Sequence, residues 1–312
     1  MNVDLTETNA SRINTTLLEA RRRYGSASYS AVLTLVVVSD ERGQYDAVRA
    51  AVAAAREHPA RILAVIPRPD DRPGSGKPRL DAEVRTSGES GPGEVVVLRL
   101  HGELARHAES VVLPLLLPDA PVVTWWPGEA PGFPAADPLG ALGARRITDA
   151  AAAGSPLDAL RQRARGYAPG DTDLAWTRLT PWRSVLASAL DVPFPPITGG
   201  GVVGEAGSAS AELLACWLRS CLEVSIERRA GSAPGVTEVV LHSDDGDIGL
   251  RRLDPQVAML RRPGSPERPV ALSQRPTAEL LAEELRRLDA DDVYGRTLAQ
   301  LAGAPAAGAP SR

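Results

Sequence analysis

The residues best placed to do chemistry lie in one stretch just past the middle of the chain, Gly166–Arg183, GYAPGDTDLAWTRLTPWR. It carries two of the five tryptophans, Trp176 and Trp182, two carboxylates, Asp171 and Asp173, and two arginines, Arg178 and Arg183. Aspartate and arginine side by side can form charge-assisted pairs, and tryptophan with arginine is the composition of anchors at protein interfaces. The same residues can instead make a structural joint, in which the tryptophans pack two halves of the chain and an aspartate pairs with an arginine. Trp125-Trp126 poses a similar choice. Neighbours in a strand point to opposite faces, so one ring can enter the core while the other faces outward or into a crevice, or both can be buried. The candidate partner-binding residues are therefore Trp125, Trp126, Asp171, Asp173, Trp176, Arg178, Trp182 and Arg183, with core and interface both open.

A catalytic centre is harder to build. The four histidines are His58, His101, His107 and His242. His58 precedes a proline at a helix end, and His101 and His107 fall on roughly opposed sides of one expected helix. None sits with cysteine at ligand spacing. Cys216 and Cys221 are too few for a disulfide framework, and on one helix they are separated by about 140° round the axis. They are expected to be reduced core thiols. Gly204–Ser208 leads from a possible strand into a helix, where an anion could sit on free N–H groups, but no Walker pattern surrounds it and it reads as a turn. Gly74–Lys77 sits in a proline-rich loop and reads the same way. No catalytic residue, metal or cofactor is assigned.

Composition narrows the class. The 312 residues are 43% hydrophobic and 24% charged, the balance of a globular protein. A net charge of -4 argues against a nucleic-acid binder, which shows a basic stripe or domain. Of the 35 basic residues only Lys77 is a lysine, so arginine counts alone signal no special anion site. The opening MNVDLTETNA has no apolar run and is not a signal peptide. No apolar stretch reaches the ~18 residues of a membrane span; Val111–Leu117, the densest, is interrupted by Pro114 and followed by Pro118. A cytoplasmic protein without membrane segments is expected.

The elements that must position these residues read as follows. Thr8–Arg23 is amphipathic, with Ile13, Leu17 and Leu18 at helical spacing. Ala31–Val38 and Arg61–Ile66 are continuous apolar runs, as in strands of a parallel sheet, and the helical Tyr45–Glu57 between them completes a βαβ unit. Pro67–Pro78 is a loop, Leu80–Arg85 an alternating strand and Glu94–Leu100 a firmer one. His101–Leu117 is predicted helical and Ala120–Trp125 a further buried strand. The loop Glu129–Pro138 then lies at the strand end where ligands of open α/β sheets bind. Ser155 is placed as the cap of a helix with Pro156 at its first position, and Gly166 ends it. Asp171 or Asp173 can cap the next helix, and Thr180 with Pro181 restarts one carrying Trp182, Leu186 and Leu190.

Past the proline break Val192–Pro196 the pattern changes. Ile197–Gly207 is a glycine-rich strand or loop and Ser210–Cys221 an amphipathic helix. Five short strands follow, Val224–Arg228, Val236–His242, Asp247–Leu253, Val257–Arg261 and Arg268–Leu272, spaced as an antiparallel meander. Thr277–Leu288 is a strong amphipathic helix, and Asp289 or Asp291 caps a last one ending near Leu301. The fold class is α/β, α+β overall: a mostly parallel, Rossmann-like N-terminal sheet with helices, then a smaller α+β domain with antiparallel strands. The expected domains are 1–165, a central tryptophan-containing connector 166–191, a C-terminal domain 192–301 and a disordered tail 302–312.

Several segments together resemble the OpcA family, the glucose-6-phosphate dehydrogenase assembly proteins. They are NVDLTET at Asn2–Thr8, Glu94–Leu100 followed by SVVLPLLL at Ser110–Leu117, and PDAPVVTWWPGEAP at Pro118–Pro131. DPLGALGARRITDA at Asp137–Ala150, YAPGDTDLAWTRLTPWR at Tyr167–Arg183 and AELLAEELRRLDADDVY at Ala278–Tyr294 extend the likeness over nearly the whole chain. The resemblance implies a non-catalytic accessory protein that binds glucose-6-phosphate dehydrogenase and favours its active oligomer in the oxidative pentose phosphate pathway. It assigns no contact residues here, and Cys216 and Cys221 match no redox motif. The alternative is an enzyme or sensor holding a phosphosugar or nucleotide in the crevice beyond Trp126, with Arg145 and Arg146 on the phosphate.

Overall fold

The computed structural model describes residues 2–24, 31–69, 77–86, 93–191 and 195–303. The expected tail from 304 on, most of the loop before Pro78 and residues 192–194 of the proline break lie outside these. In chain order the elements are β1 (Asn2–Leu5), α1 (Ala10–Tyr24), β2 (Leu33–Val38), α2 (Gln44–Ala54), β3 (Ala60–Arg68), β4 (Arg79–Thr86) and β5 (Glu94–His101). There follow α3 (Ala108–Val112), β6 (Val122–Trp125), β7 (Arg145–Thr148), α4 (Pro156–Arg165), β8 (Asp171–Asp173), α5 (Leu174–Thr177) and α6 (Thr180–Leu190). The remainder is β9 (Ile197–Glu205), α7 (Ala209–Leu222), β10 (Ile226–Gly231), β11 (Val236–Ser243), β12 (Ile248–Arg252), β13 (Val257–Arg262), β14 (Ser265–Ala271), α8 (Thr277–Arg286) and α9 (Asp292–Gly303).

The chain forms two compact units that interleave along the sequence. The first comprises Met1–Ala152, Gly170–Thr172 and Pro276–Ala290; the second comprises Ala153–Pro169, Asp173–Arg275 and Asp291–Arg312.

The first unit is built on an eight-stranded sheet in the order β1-β4-β5-β3-β2-β6-β7-β8. Its centre is parallel: β2 pairs with β3 and β6, β3 with β5, and β6 with β7. Strand β4 runs against β5, and β1 against β4. The apolar run of β2 is buried from Leu33 to Val37 because both faces of the sheet are covered, as parallel strands require. On one face α1 lays Ile13 and Leu17 into a cluster with Val36, Leu63, Val84, Val96 and Leu98. Helix α2 packs against α8, which the chain returns to this unit long after leaving it.

The long helix expected over His101–Leu117 is instead three short pieces. His101 ends β5, Gly102 takes a positive φ of 62°, and a 3-10 turn, Gly102–Arg106, precedes α3. Pro114 has no N–H to continue α3, and the chain finishes in a second 3-10 turn, Leu113–Leu115.

The second unit holds a six-stranded sheet in the order β10-β9-β11-β12-β13-β14. Strands β11 to β14 form the expected antiparallel meander. The first strand of that group is a correction: β10 lies parallel to β9, because α7 carries the chain back across the sheet as a second βαβ unit. The glycines of β9 let its neighbours come close; a Cβ on Gly200 would lie 2.5 Å from the Val240 carbonyl oxygen. Helices α4, α5 and α9 pack with α7 or with one another. Among the described residues no helix is long and apolar enough to cross a membrane.

Candidate functional site

Strand β8 and helices α5 and α6 carry the tryptophan-rich stretch, and each aspartate there has a fixed task. Asp171 sits on β8 and takes a charge-assisted bond from Arg146 Nε of the neighbouring β7, both side chains being buried. Arg146 also donates through Nη1 to the Gly143 carbonyl at 2.9 Å. Gly170 makes the close approach possible: its φ is +95°, and a Cβ there would lie 2.5 Å from the Ala144 carbonyl oxygen and 2.9 Å from Arg146 Nη2. Asp173, fully buried, is the cap of α5. Its Oδ1 accepts from Ala175 N at 2.9 Å and its Oδ2 from Arg163 Nη1 at 3.2 Å.

Trp176, 1% exposed, donates from its indole N–H to Asp291 Oδ2 at 2.8 Å. The other oxygen of Asp291 accepts from Val293 N and Tyr294 N, both at 2.9 Å, so one carboxylate caps α9 and holds the ring. Tyr294 packs on Trp176 at 5.6 Å between centroids and meets Tyr167 edge-on at 6.0 Å. The guanidinium of Arg183 lies 3.7 Å above the Trp176 ring and donates to Thr180 Oγ1 at 3.2 Å. Trp182, 3% exposed, has the Arg252 guanidinium 5.3 Å from its ring.

Two capping expectations shift. Ser155 occupies the cap position of α4, but its hydroxyl donates to Asp158 Oδ2 at 2.7 Å rather than accepting from the helix. Helix α6 is capped at Leu179 without a side-chain bond, so Thr180 stands inside the helix and Pro181 one step later than expected. Pro is tolerated there because the first-turn N–H groups have no intrahelical partner.

Of the candidate partner-binding residues, Trp125, Trp126, Asp171, Asp173, Trp176 and Trp182 are all buried. For Trp125-Trp126, strand alternation would allow one ring to face outward. Instead both rings are buried, and Gly140 of the 3-10 turn Gly140–Leu142 lies against Trp126. Only Arg178 and Arg183 of the eight remain half-exposed. The crevice reading meets a physical obstacle in the two arginines it needs. Arg145 is paired with Glu284 and donates to the Asp289 carbonyl, while Arg146 is held by Asp171. Each guanidinium charge is already met by a carboxylate.

The cysteines also separate. Cys216 is buried, and burial pushes its thiol up to about 12. Cys221 is exposed, which corrects the expectation of two core thiols; its thiol is raised by the burial it retains. Three histidines face carboxylates: His101 Nε2 lies 3.2 Å from Asp81, His242 Nδ1 2.8 Å from Asp247 and His107 Nδ1 3.7 Å from Glu109. Among the described residues no group of three His, Cys, Asp or Glu side chains could hold a metal ion. Sequence reasoning missed Asp291 and Arg163 as partners of the central stretch. The one available signal was Asp291 as a helix cap, and a cap does not announce its second ligand.

Comparison with known proteins gives matches to two family models, one after the other along the chain. Residues 51–165 match the N-terminal domain of the glucose-6-phosphate dehydrogenase subunit. Residues 169–298 match the C-terminal domain of the same kind of protein. No curated protein matches the chain. Among solved structures, an oxidoreductase from Sinorhizobium meliloti aligns at 9% identity over 86% of each chain, with a TM-score of 0.44. The UDP-N-acetylglucosamine 3-dehydrogenase GnnA from Acidithiobacillus ferrooxidans aligns at 12% identity over 87% of this chain and 96% of that one, with a TM-score of 0.40. Likenesses at that level carry no argument about activity.

Proposed function

This chain belongs to the OpcA family of glucose-6-phosphate dehydrogenase assembly proteins, and from that premise we propose that it is a non-catalytic protein that binds the dehydrogenase and favours its active oligomer. The observation that carries the reading is the pair of family matches, which run in the same order as the family's two domains and together span residues 51–165 and 169–298. A binding protein shifts an assembly equilibrium only by its differential affinity for the two states. The chain therefore binds the active dehydrogenase assembly more tightly than inactive forms, in the cytoplasm and without a cofactor of its own.

Within this reading the half-exposed Arg178 and Arg183 are the contact residues. The Trp176 ring lies under the Arg183 guanidinium and Asp173 caps α5 just before Arg178, while Asp171, Trp125 and Trp126 belong to the first unit. The Arg183 guanidinium, held against the Trp176 ring, is pre-organised, so less side-chain freedom is lost on binding.

The test is a titration of the purified dehydrogenase of the same organism with this protein, following activity and particle mass by light scattering. Raised activity together with a changed assembly is expected. No complex and no change in rate would overturn the reading.

A further inference from the structure

Alternation along β4 and β5 gives the first unit a second, more polar sheet face. Val84, Val96 and Leu98 enter the cluster under α1, so Glu83, Arg85, Val97 and Arg99 point the other way. There the strands and the flank of α2 enclose a hollow of about 350 Å³. Its floor is apolar: Val48 and Val97 are buried, and Val52 is half-buried. Tyr45 stands at its edge, 67% exposed. Four arginines line it: Arg49 from α2, Arg56 from the turn that ends α2, and Arg85 and Arg99 from the strands.

Two of these guanidinium groups are aimed by the fold. Glu83 accepts from Arg85 Nε at 2.7 Å and from Asn2 Nδ2 at 3.2 Å, and lies 3.6 Å from Arg99. Arg99 also donates to Gln44 Oε1 at 3.4 Å, and the Gln44 amide is tied in turn to the Glu41 carbonyl at 2.9 Å. One carboxylate thus orients two cations and neutralises one. Arg49 is matched by Asp46 at 2.8 Å, both side chains being exposed. The Arg56 side chain has no hydrogen bond or ion pair among the described residues. Asp4 on β1 is exposed and reaches Arg85 only through its field.

Four guanidinium groups therefore meet two carboxylates in direct contact among the described residues, which leaves a positive surplus in a chain of net charge -4. A guanidinium fork held in place matches a carboxylate or a phosphoryl group. The valine floor and the tyrosine edge suit a carbon skeleton, which a bare inorganic ion does not have.

We propose that the hollow between α2 and the β4–β5 pair binds a small organic dianion, its charge held by Arg56, Arg85 and Arg99 and its carbon body lying on Val48, Val52 and Val97 beside Tyr45. The volume sits at the low end for ligand pockets, which suits a metabolite of a few carbons. All of these residues belong to the first unit and the site requires no partner protein, so it stands or falls independently of dehydrogenase binding.

The test uses the full chain alone. Calorimetry at constant ionic strength follows titration with phenyl phosphate, glycerol 3-phosphate and succinate. Phenol and glycerol are the uncharged controls, and sodium sulfate is the dianion without a carbon body. The expected result is saturable binding of an organic dianion below about 1 mM, about tenfold or more tighter than sulfate, with no response to the uncharged parents. Binding of the phosphates alone, or of succinate alone, supports the proposal and names the anionic group. Arg56→Glu leaves no partner unmet and should weaken binding about tenfold or more. Arg268→Glu makes the same change of charge on the exposed β14 of the second unit and should leave the affinity within about twofold. Circular dichroism of both variants should match that of the parent. Silence toward all three organic dianions overturns the proposal; a face that serves an acidic segment of a partner protein gives this result. Sulfate binding as tightly as the organic probes overturns it, as does an equal loss in the two variants.

Discussion

The fully buried arginines of both units meet carboxylates, whereas several half-buried ones of the second unit also bond main-chain carbonyls. In the first unit Arg61 shares Glu94 with Arg21, Arg145 pairs with Glu284, and Arg146 with Asp171. In the second, Arg219 donates to the Ile226 carbonyl, Arg228 to those of Gly204 and Glu205, Arg252 to that of Leu272, and Arg275 to that of Thr177. Arg163 lies on Asp173, and Arg219 also comes within 3.9 Å of Glu212. Burial lowers the pKa of both Arg228 and Arg252, because a carbonyl dipole compensates desolvation less than a full negative charge does. The first unit places acids against its buried cations. The second also directs the guanidinium groups of Arg219, Arg228 and Arg252 with main-chain carbonyls.

The largest effect that tests this contrast is Glu94→Ala. Glu94 is 1% exposed and accepts from Arg21 Nε at 2.6 Å, Arg21 Nη2 at 2.9 Å and Arg61 Nε at 2.8 Å. Its loss leaves Arg61 charged and buried, and unfolding by denaturant should show a cost of about 3–5 kcal/mol. Arg252→Gln, by comparison, loses hydrogen bonds from a half-buried group and should cost about 1 kcal/mol. Equal costs would erase that distinction.

Next in size is Trp176→Phe. It removes the indole N–H from Asp291 and part of the ring from Tyr294, and should lower stability by about 1–3 kcal/mol in thermal unfolding. Asp291 keeps its two backbone donors, so α9 should remain helical by circular dichroism. Loss of that helix would show that the ring, not the cap, holds it.

The smallest effect concerns the thiols. Alkylation in the native state should label Cys221 and spare Cys216, whose thiol stays protonated up to about pH 12. Mass spectrometry of the digested protein reads the result, and equal labelling would mean that α7 opens readily.

How far these features can be read from sequence follows from their range. The runs Ala31–Val38 and Glu94–Leu100 declare buried strands because a covered parallel strand needs no polar face. Asp173 as a cap is also legible, since its partner is two residues away. The pairing of Arg145 with Glu284, or of Trp176 with Asp291, spans more than a hundred residues and leaves no periodic trace. The placement of β10 failed for the same reason. Its composition is that of an edge strand, and direction comes from the α7 crossover rather than from its own residues. The expected interface in the tryptophans rested on residue type, whereas burial depends on what folds over them.

Strand β14 has a consequence for self-association. It is an outer strand of the second sheet, its residues are exposed apart from Val270, and two of its seven, Pro266 and Pro269, have no N–H to offer. An edge of this kind discourages strand-to-strand addition, the route by which sheets stack into aggregates or capture extended peptides. Whatever docks near β14 has to grip side chains, which makes this flank a guarded border of the sheet.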